Sequence, residues 1–189
     1  MKLIRLTKDT IIKSFDCGDA DLNDFILNDA KAFLSKRIAY TFLIIDGENI
    51  VAYFSLLNDK VAKTDAANNT WRKLRRSFPH EKHFSSYPAI KLGRFAVSKN
   101  YRSLGIGTKI MDYLKMLLFK SASYSAFRFL TVDAYISAIP FYERNGFKTL
   151  LPEEDDEHTR TMYFDILSCL LYTSPSPRDY AASRMPSSA

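Results

Sequence analysis

Residues 95–108 read Phe95-Ala96-Val97-Ser98-Lys99-Asn100-Tyr101-Arg102-Ser103-Leu104-Gly105-Ile106-Gly107-Thr108. An apolar run enters a polar turn holding two glycines. An amphipathic stretch follows, in which Ile110, Leu114, Leu117 and Leu118 share one helical face. The pattern predicts a strand over 90–97, a turn, and a helix over 107–119. Gly105 and Gly107 have no side chains, so their backbone amides can approach a ligand closely. Unpaired amides at a helix start, with the positive end of the helix dipole, suit a pyrophosphate. Arg102 would place a fixed positive charge beside it. Two better-known phosphate motifs are absent: position 110 is Ile, so Gly-x-Gly-x-x-Gly fails, and no Gly-Lys-Ser/Thr follows. Alone, the stretch also fits a plain tight turn.

Outward from this turn, the chain alternates strand and helix signals. A short strand is expected over 2–6. Leu22, Phe25, Ile26, Ala30 and Phe33 then fall on one helical face, with Asp19 or Asp21 available as N-cap. Two apolar runs, 40–45 and 50–57, flank Asp46-Gly47-Glu48-Asn49 and read as an antiparallel hairpin. Residues 59–88 look like a long connection carrying a short basic helix over 71–78, with Pro79 and Pro88 bounding its end. Beyond the phosphate turn come a strand over 127–134, a helix over 139–145 closed by Gly146, and two strands over 147–151 and 160–167. The order β-α-β-β-(α)-β-α-β-α-β-β predicts an α/β (α+β) domain around a mixed sheet.

Composition narrows the function classes. At 189 residues with 47% apolar and 25% charged content, the chain has enough apolar surface for one compact domain, expected over 1–168. No apolar run approaches the length that crosses a bilayer, and a charge at Lys2 precedes any signal-type segment. Cys17 and Cys169 offer neither a disulfide framework nor a metal-ligand spacing, so a cytoplasmic protein without a metal is expected. Residues 169–189, rich in Ser, Thr and Pro, show no structural period and are set apart as a disordered, non-native tail. The net charge is +6, and its excess is local: segment 71–94 holds seven basic residues against Glu81 alone. Such a cluster attracts polyanions, although a solvated helix face has the same composition. The acidic run 153–157 reads as a solvated loop.

About thirty residues past the turn lies Ala138-Ile139-Pro140-Phe141-Tyr142-Glu143-Arg144-Asn145-Gly146-Phe147. With the Arg-x-x-Gly-x-Gly turn, this Ala-x-x-Phe-Tyr-x-x-x-Gly-Phe motif resembles the GNAT family of acyl-CoA-dependent N-acyltransferases. The resemblance implies a mostly antiparallel sheet with a parallel central strand pair that splays apart around acetyl-CoA. It implies that the backbone of Phe95, Ala96 and Val97 pairs with the pantetheine arm and polarises the thioester carbonyl. Arg102, Leu104, Gly105, Ile106, Gly107 and Thr108 would line the pyrophosphate. Tyr142 matches the tyrosine that protonates the departing thiolate; a half-buried core tyrosine beside Phe141 is the other reading. Many relatives carry Asn seven residues earlier, where this chain has Tyr135.

No general base is legible. Asp133 and Glu143 are the nearest carboxylates, and each also suits a structural or surface role. An α-amine, with a pKa near 7.7–8.0, needs less help to lose a proton than an alkyl amine near 10.4, so the missing base leans toward an α-amine acceptor. Phe15-Asp16-Cys17-Gly18 with Leu22 and Phe25, and the basic helix before Tyr87-Pro88, look like a toxin-type subgroup that acetylates aminoacyl-tRNA. On that resemblance Arg72, Lys73, Arg75 and Arg76 would grip tRNA, and a homodimer is a further expectation. Cys17 lacks a histidine in its motif and reads as a structural thiol rather than a nucleophile. A housekeeping acetyltransferase, a tRNA-directed toxin and a binding module without turnover all remain open at this point.

Overall fold

The computed structural model describes residues 1–76, 78, 84–102, 104–120, 125–151 and 157–168. The expected tail 169–189, with Cys169, and residues 153–156 of the acidic run lie outside them. Seven strands form one sheet in the order β1-β2-β3-β4-β5-β7-β6. They are β1 (Lys2–Arg5), β2 (Tyr40–Asp46), β3 (Asn49–Ala62), β4 (Ser86–Val97), β5 (Phe129–Tyr135), β6 (Lys148–Thr149) and β7 (Thr159–Asp165). Every neighbouring pair is antiparallel except β4 and β5, which run parallel.

Period-two alternation along β3 divides the core between two faces. Ala52 and Phe54 pack toward α4 (Ile106–Lys120), while Tyr53 packs with Phe15, Phe25 and Ile26 on the opposite face. The buried stripe of α4 is Ile106, Ile110, Met111, Leu114 and Leu118. Leu117, expected inward, is only half-buried, because Met111 completes the stripe on the other flank. Leu130, fully buried on β5, sits in the same cluster. Leu130→Ala is expected to cost about 2–5 kcal/mol, the range for a buried leucine that leaves a cavity. Urea denaturation would read this as a lower midpoint at unchanged slope.

Two sequence boundaries move. The long connection expected over 59–88 begins later and ends sooner, because β3 and β4 stay paired from Asn58↔Ile90 out to Ala62↔Ser86. Polar Asn58, Asp59 and Lys60 disguise this half-exposed ribbon as a loop. Pro88 is tolerated within it because its carbonyl accepts from Arg128 N, at 2.9 Å, on the side away from β3. The missing N–H of proline therefore costs the β3–β4 ladder nothing. The connection itself holds α3 (Asn68–Arg75), which buries Trp71 and Leu74 against Tyr87 and Phe129.

The first helix is not a simple amphipathic helix. Asp19 caps α1 (Ala20–Asp24), its carboxylate accepting from Leu22 N at 3.0 Å, so Asp19 rather than Asp21 is the N-cap. A π-helical turn, Phe25–Asp29, then joins α2 (Ala30–Ser35), with Ala30 N bonding back to Phe25 O. The extra residue in that turn brings Phe25, Ile26, Ala30 and Phe33 onto one face.

Candidate active site

Strands β4 and β5 pair over only three residues, Ala89↔Phe129, Ile90↔Leu130 and Lys91↔Thr131. Both continue past that point, β4 to Val97 and β5 to Tyr135, so the sheet opens between them. The opening is a cleft of about 580 Å³ whose walls include Leu92 to Phe95 on one side and Val132 to Tyr135 on the other. A bulge helps turn β4 away: Ser55 pairs with Arg94 and Leu56 with Leu92, leaving Gly93 as the extra residue. A Cβ on Gly93 would lie 2.7 Å from Leu57 Cδ2 and 3.2 Å from Ser55 Oγ. Sequence inspection passed over Gly93, yet a lone glycine inside a strand pattern is the ordinary sign of a bulge.

Beyond the bulge, β4 offers a free edge to the cleft. Ser98 N donates to Val51 O at 2.9 Å, so by strand alternation Ala96 also turns its polar backbone groups toward β3. Phe95 and Val97 turn theirs to the open side. Of the three residues expected to pair with an acyl donor, two face it and Ala96 does not.

The turn that follows brings the start of α4 to the end of β4. The first bond into this helix runs from Lys109 N to Gly105 O at 3.2 Å, which leaves the amides of Ile106, Gly107 and Thr108 outside the helical ladder. Gly105 has φ +68, a left-handed conformation, and the space where its Cβ would stand is open. Gly107 sits in a tighter place: a Cβ there would press on the Phe141 ring at 3.3 Å and meet Val97 in ordinary contact at 3.8 Å. Of the other expected phosphate contacts, Leu104 is 62% exposed and Ile106 points its side chain into the core. Both would act through the backbone. Arg102 lines the cleft and donates from Nη2 to the Cys17 carbonyl.

Tyr142 lies on α5 (Ile139–Arg144), which Gly146 closes with φ +83 so that Phe147 N returns to Tyr142 O at 3.0 Å. Its ring sits edge-on between Phe141 and Phe147 and is 7% exposed. Tyr142 lines the cleft, and its hydroxyl has no hydrogen-bond partner among the described residues. Burial pushes this phenol well above its ordinary value of 10, so it keeps its proton across the neutral and mildly alkaline range.

The opposite wall comes from α1, the π turn and α2: Asp19, Asp21, Leu22, Phe25 and Phe33. Arg94 reaches across from β4, its guanidinium 5.4 Å above the Phe25 ring and its Nε 3.5 Å from Asp21. Each carboxylate lining the cleft is engaged. Asp19 caps α1, Asp21 faces Arg94, and Asp133 accepts from Lys91 at 2.6 Å and Thr161 at 3.1 Å. Glu143 is exposed on α5 and does not line the cleft. Cys17 is 1% exposed, and burial pushes its thiol up, away from the nucleophilic thiolate. Among the basic residues, Arg72, Lys73, Arg75 and Arg76 are all exposed on the outer face of α3.

Splayed parallel strands, a free strand edge, a helix start at one end and a buried phenol opposite define an acyl-transfer enzyme built around an extended, phosphate-bearing donor. Residues 39–149 match the acetyltransferase (GNAT) domain family, and the chain belongs to that family. It is an acetyl-CoA-dependent N-acetyltransferase. Solved structures with the same fold include AtaT complexed with acetyl-methionyl-tRNAfMet, at TM-score 0.73 and 18% identity over 92% of this chain and 100% of that one. A tyrosine-to-phenylalanine mutant of KacT aligns at TM-score 0.72 and 19% identity, covering 91% of this chain and 99% of its own. AtaTR bound with AcCoA aligns at TM-score 0.72 and 20% identity, over 92% and 98%. At these identities the likeness is one of fold.

Proposed function

We propose that the chain transfers the acetyl group of acetyl-CoA to the α-amine of an aminoacyl-tRNA, in the cytoplasm, with Tyr142 as general acid. The observation that carries this reading is the state of the cleft carboxylates. Asp19 caps α1, Asp21 lies 3.5 Å from Arg94 Nε and Asp133 is paired with Lys91, so no carboxylate of the described cleft stands apart from a donor or a cation, an arrangement that suits an acceptor needing no strong base. An α-amine is neutral in useful amount near pH 8 and needs no such base. The exposed cations of α3 and the fold shared with AtaT, solved with acetyl-methionyl-tRNAfMet, favour the same acceptor.

In this reading the pyrophosphate rests on the amides of Gly105, Ile106, Gly107 and Thr108, beside Arg102. The pantetheine arm lies along the free edge of β4 at Phe95 and Val97. One of those amides receives the negative charge that grows on the thioester oxygen as the amine nitrogen bonds to the carbonyl carbon. The carbon–sulfur bond then breaks, Tyr142 gives its proton to the leaving sulfur, and the amide nitrogen loses one to water. Helix α3 packs its apolar face on Tyr87 and turns its cations outward, and Tyr87 lies five residues before the cleft opens at Leu92, or roughly 17 Å along the strand. A folded nucleic acid spans that distance easily.

Thiol release from acetyl-CoA should therefore rise with charged tRNA and stay flat with deacylated tRNA. Release driven equally well by polyamines or free amino acids would contradict the tRNA acceptor while leaving the acetyltransferase chemistry standing.

A further inference from the structure

The Phe15-Asp16-Cys17-Gly18 segment carries no step of the chemistry above, yet it is bound to the phosphate turn at several points. Lys99 N donates to Asp16 O at 2.9 Å, and Lys99 Nζ reaches Asp16 Oδ2 at 2.9 Å. Arg102 Nη2 donates to the Cys17 carbonyl. Gly18 has φ +83, and a Cβ there would stand 2.7 Å from Lys99 Cε and 3.7 Å from both terminal guanidinium nitrogens of Arg102. The segment is stiffened from within. Asp16 Oδ1 accepts from Gly18 N at 2.7 Å and Asn23 Nδ2 at 3.1 Å, while Asn23 Oδ1 accepts from Cys17 N at 2.8 Å. Phe15 anchors it in the core, its ring 5.2 Å from that of Tyr53.

We propose that Asp16, Cys17 and Gly18 form a strap that positions the acyl donor's pyrophosphate site, holding Arg102 in place across the turn. Asp16 and Gly18 act through Lys99, and Cys17 acts through Arg102. A guanidinium has five N–H donors, so one spent on the Cys17 carbonyl fixes the head and leaves others for a phosphate. Gly18 lets the Lys99 side chain lie against the strap, where a Cβ at 2.7 Å would displace it, while the Arg102 head stands in ordinary contact at 3.7 Å. The segment also leads directly into the Asp19 cap of α1, so one short run of chain touches the donor turn and begins the opposite wall of the cleft.

The proposal rests on the acyl-donor reading of the turn, and its test separates the two. Binding of acetyl-CoA and of S-acetylpantetheine, which lacks the nucleotide and its phosphates, would be measured by calorimetry and by competition. In the wild type the affinity ratio of the two reports what the phosphates contribute. Asp16→Asn keeps the acceptor oxygen for Gly18 N but removes the charge facing Lys99. It should reduce the ratio about fivefold, near the upper range for an exposed ion pair. Gly18→Ala forces a left-handed alanine against Lys99 and should reduce it about tenfold or more. If Asp16 acts through Lys99, the Asp16→Asn/Lys99→Met double variant will be no weaker than Lys99→Met alone. Equal weakening toward both ligands would make the strap a general folding element and overturn the proposal. A wild type that binds no acetyl-CoA would overturn the donor reading itself, and the strap's role with it.

Discussion

Replacing Tyr142 with phenylalanine should lower the acetyl-transfer rate by about 10²–10⁴-fold, the usual contribution of a positioned general acid. Acetyl-CoA binding should survive. The ring packs edge-on between Phe141 and Phe147, contacts that phenylalanine keeps. Its hydroxyl has no described partner, so removal orphans no buried group, and the variant should unfold at the wild-type temperature. Single-turnover kinetics and calorimetry together separate lost chemistry from lost binding. The pH profile adds a second check. Burial raises the Tyr142 pKa above 10, so the active protonated form persists as pH rises through the ordinary phenol range. The rate should show no alkaline fall below pH 10 that Tyr142→Phe abolishes. An unchanged rate in the variant would return Tyr142 to the core and leave the leaving thiolate to take its proton from water.

The second large effect concerns the outer face of α3. Trp71 and Leu74 hold the helix to Tyr87 and Phe129, while Arg72, Lys73 and Arg76 point to solvent. The triple variant Arg72→Glu, Lys73→Glu and Arg76→Glu leaves the buried face intact, so the helix should still dock. Charged-tRNA affinity should fall by about 10²-fold or more, because the proposed docking would lose three phosphate contacts and gain three repulsions. The salt dependence should flatten as well, its logarithmic slope shrinking by roughly one unit per lost contact. Binding of acetyl-CoA, which the proposed function places at the far end of β4, should not change. Equal tRNA affinity in the variant and the wild type would make this face an ordinary solvated surface.

How much of this was legible follows from where the signals are local. The phosphate turn and the Phe-Tyr-x-x-x-Gly-Phe helix announce themselves in short windows, since glycine conformation and helix periodicity are properties of neighbouring residues. The hairpin around Gly47 is legible for the same reason. Pairings between distant segments are not. Asn58 to Ala62 is too polar to look like a strand, and only its partner Ser86 to Ile90 makes it one. The opening of β4 from β5 depends on a bulge at Gly93 that no window around Gly93 reveals as part of a cleft. The π turn defeats a strict 3.6-residue count, although the residues it gathers, Phe25, Ile26, Ala30 and Phe33, are those that the apolar pattern marks. The wall of the cleft built by the first helices was least legible. Arg94 meets Asp21 and Phe25 across more than sixty residues of sequence, and Asp133 pairs with Lys91 from a different strand, likewise beyond any local window.

The most direct test of the account is the identity of the acetylated product. Wild-type protein would be incubated with [14C]acetyl-CoA and a total charged-tRNA pool, and the RNA digested with ribonuclease. The account predicts label in N-acetyl-aminoacyl-adenosine, none from deacylated tRNA, and an initial rate of labelling lower by about 10²-fold or more with Tyr142→Phe. Label recovered only in polyamines, free amino acids or protein lysines would contradict it.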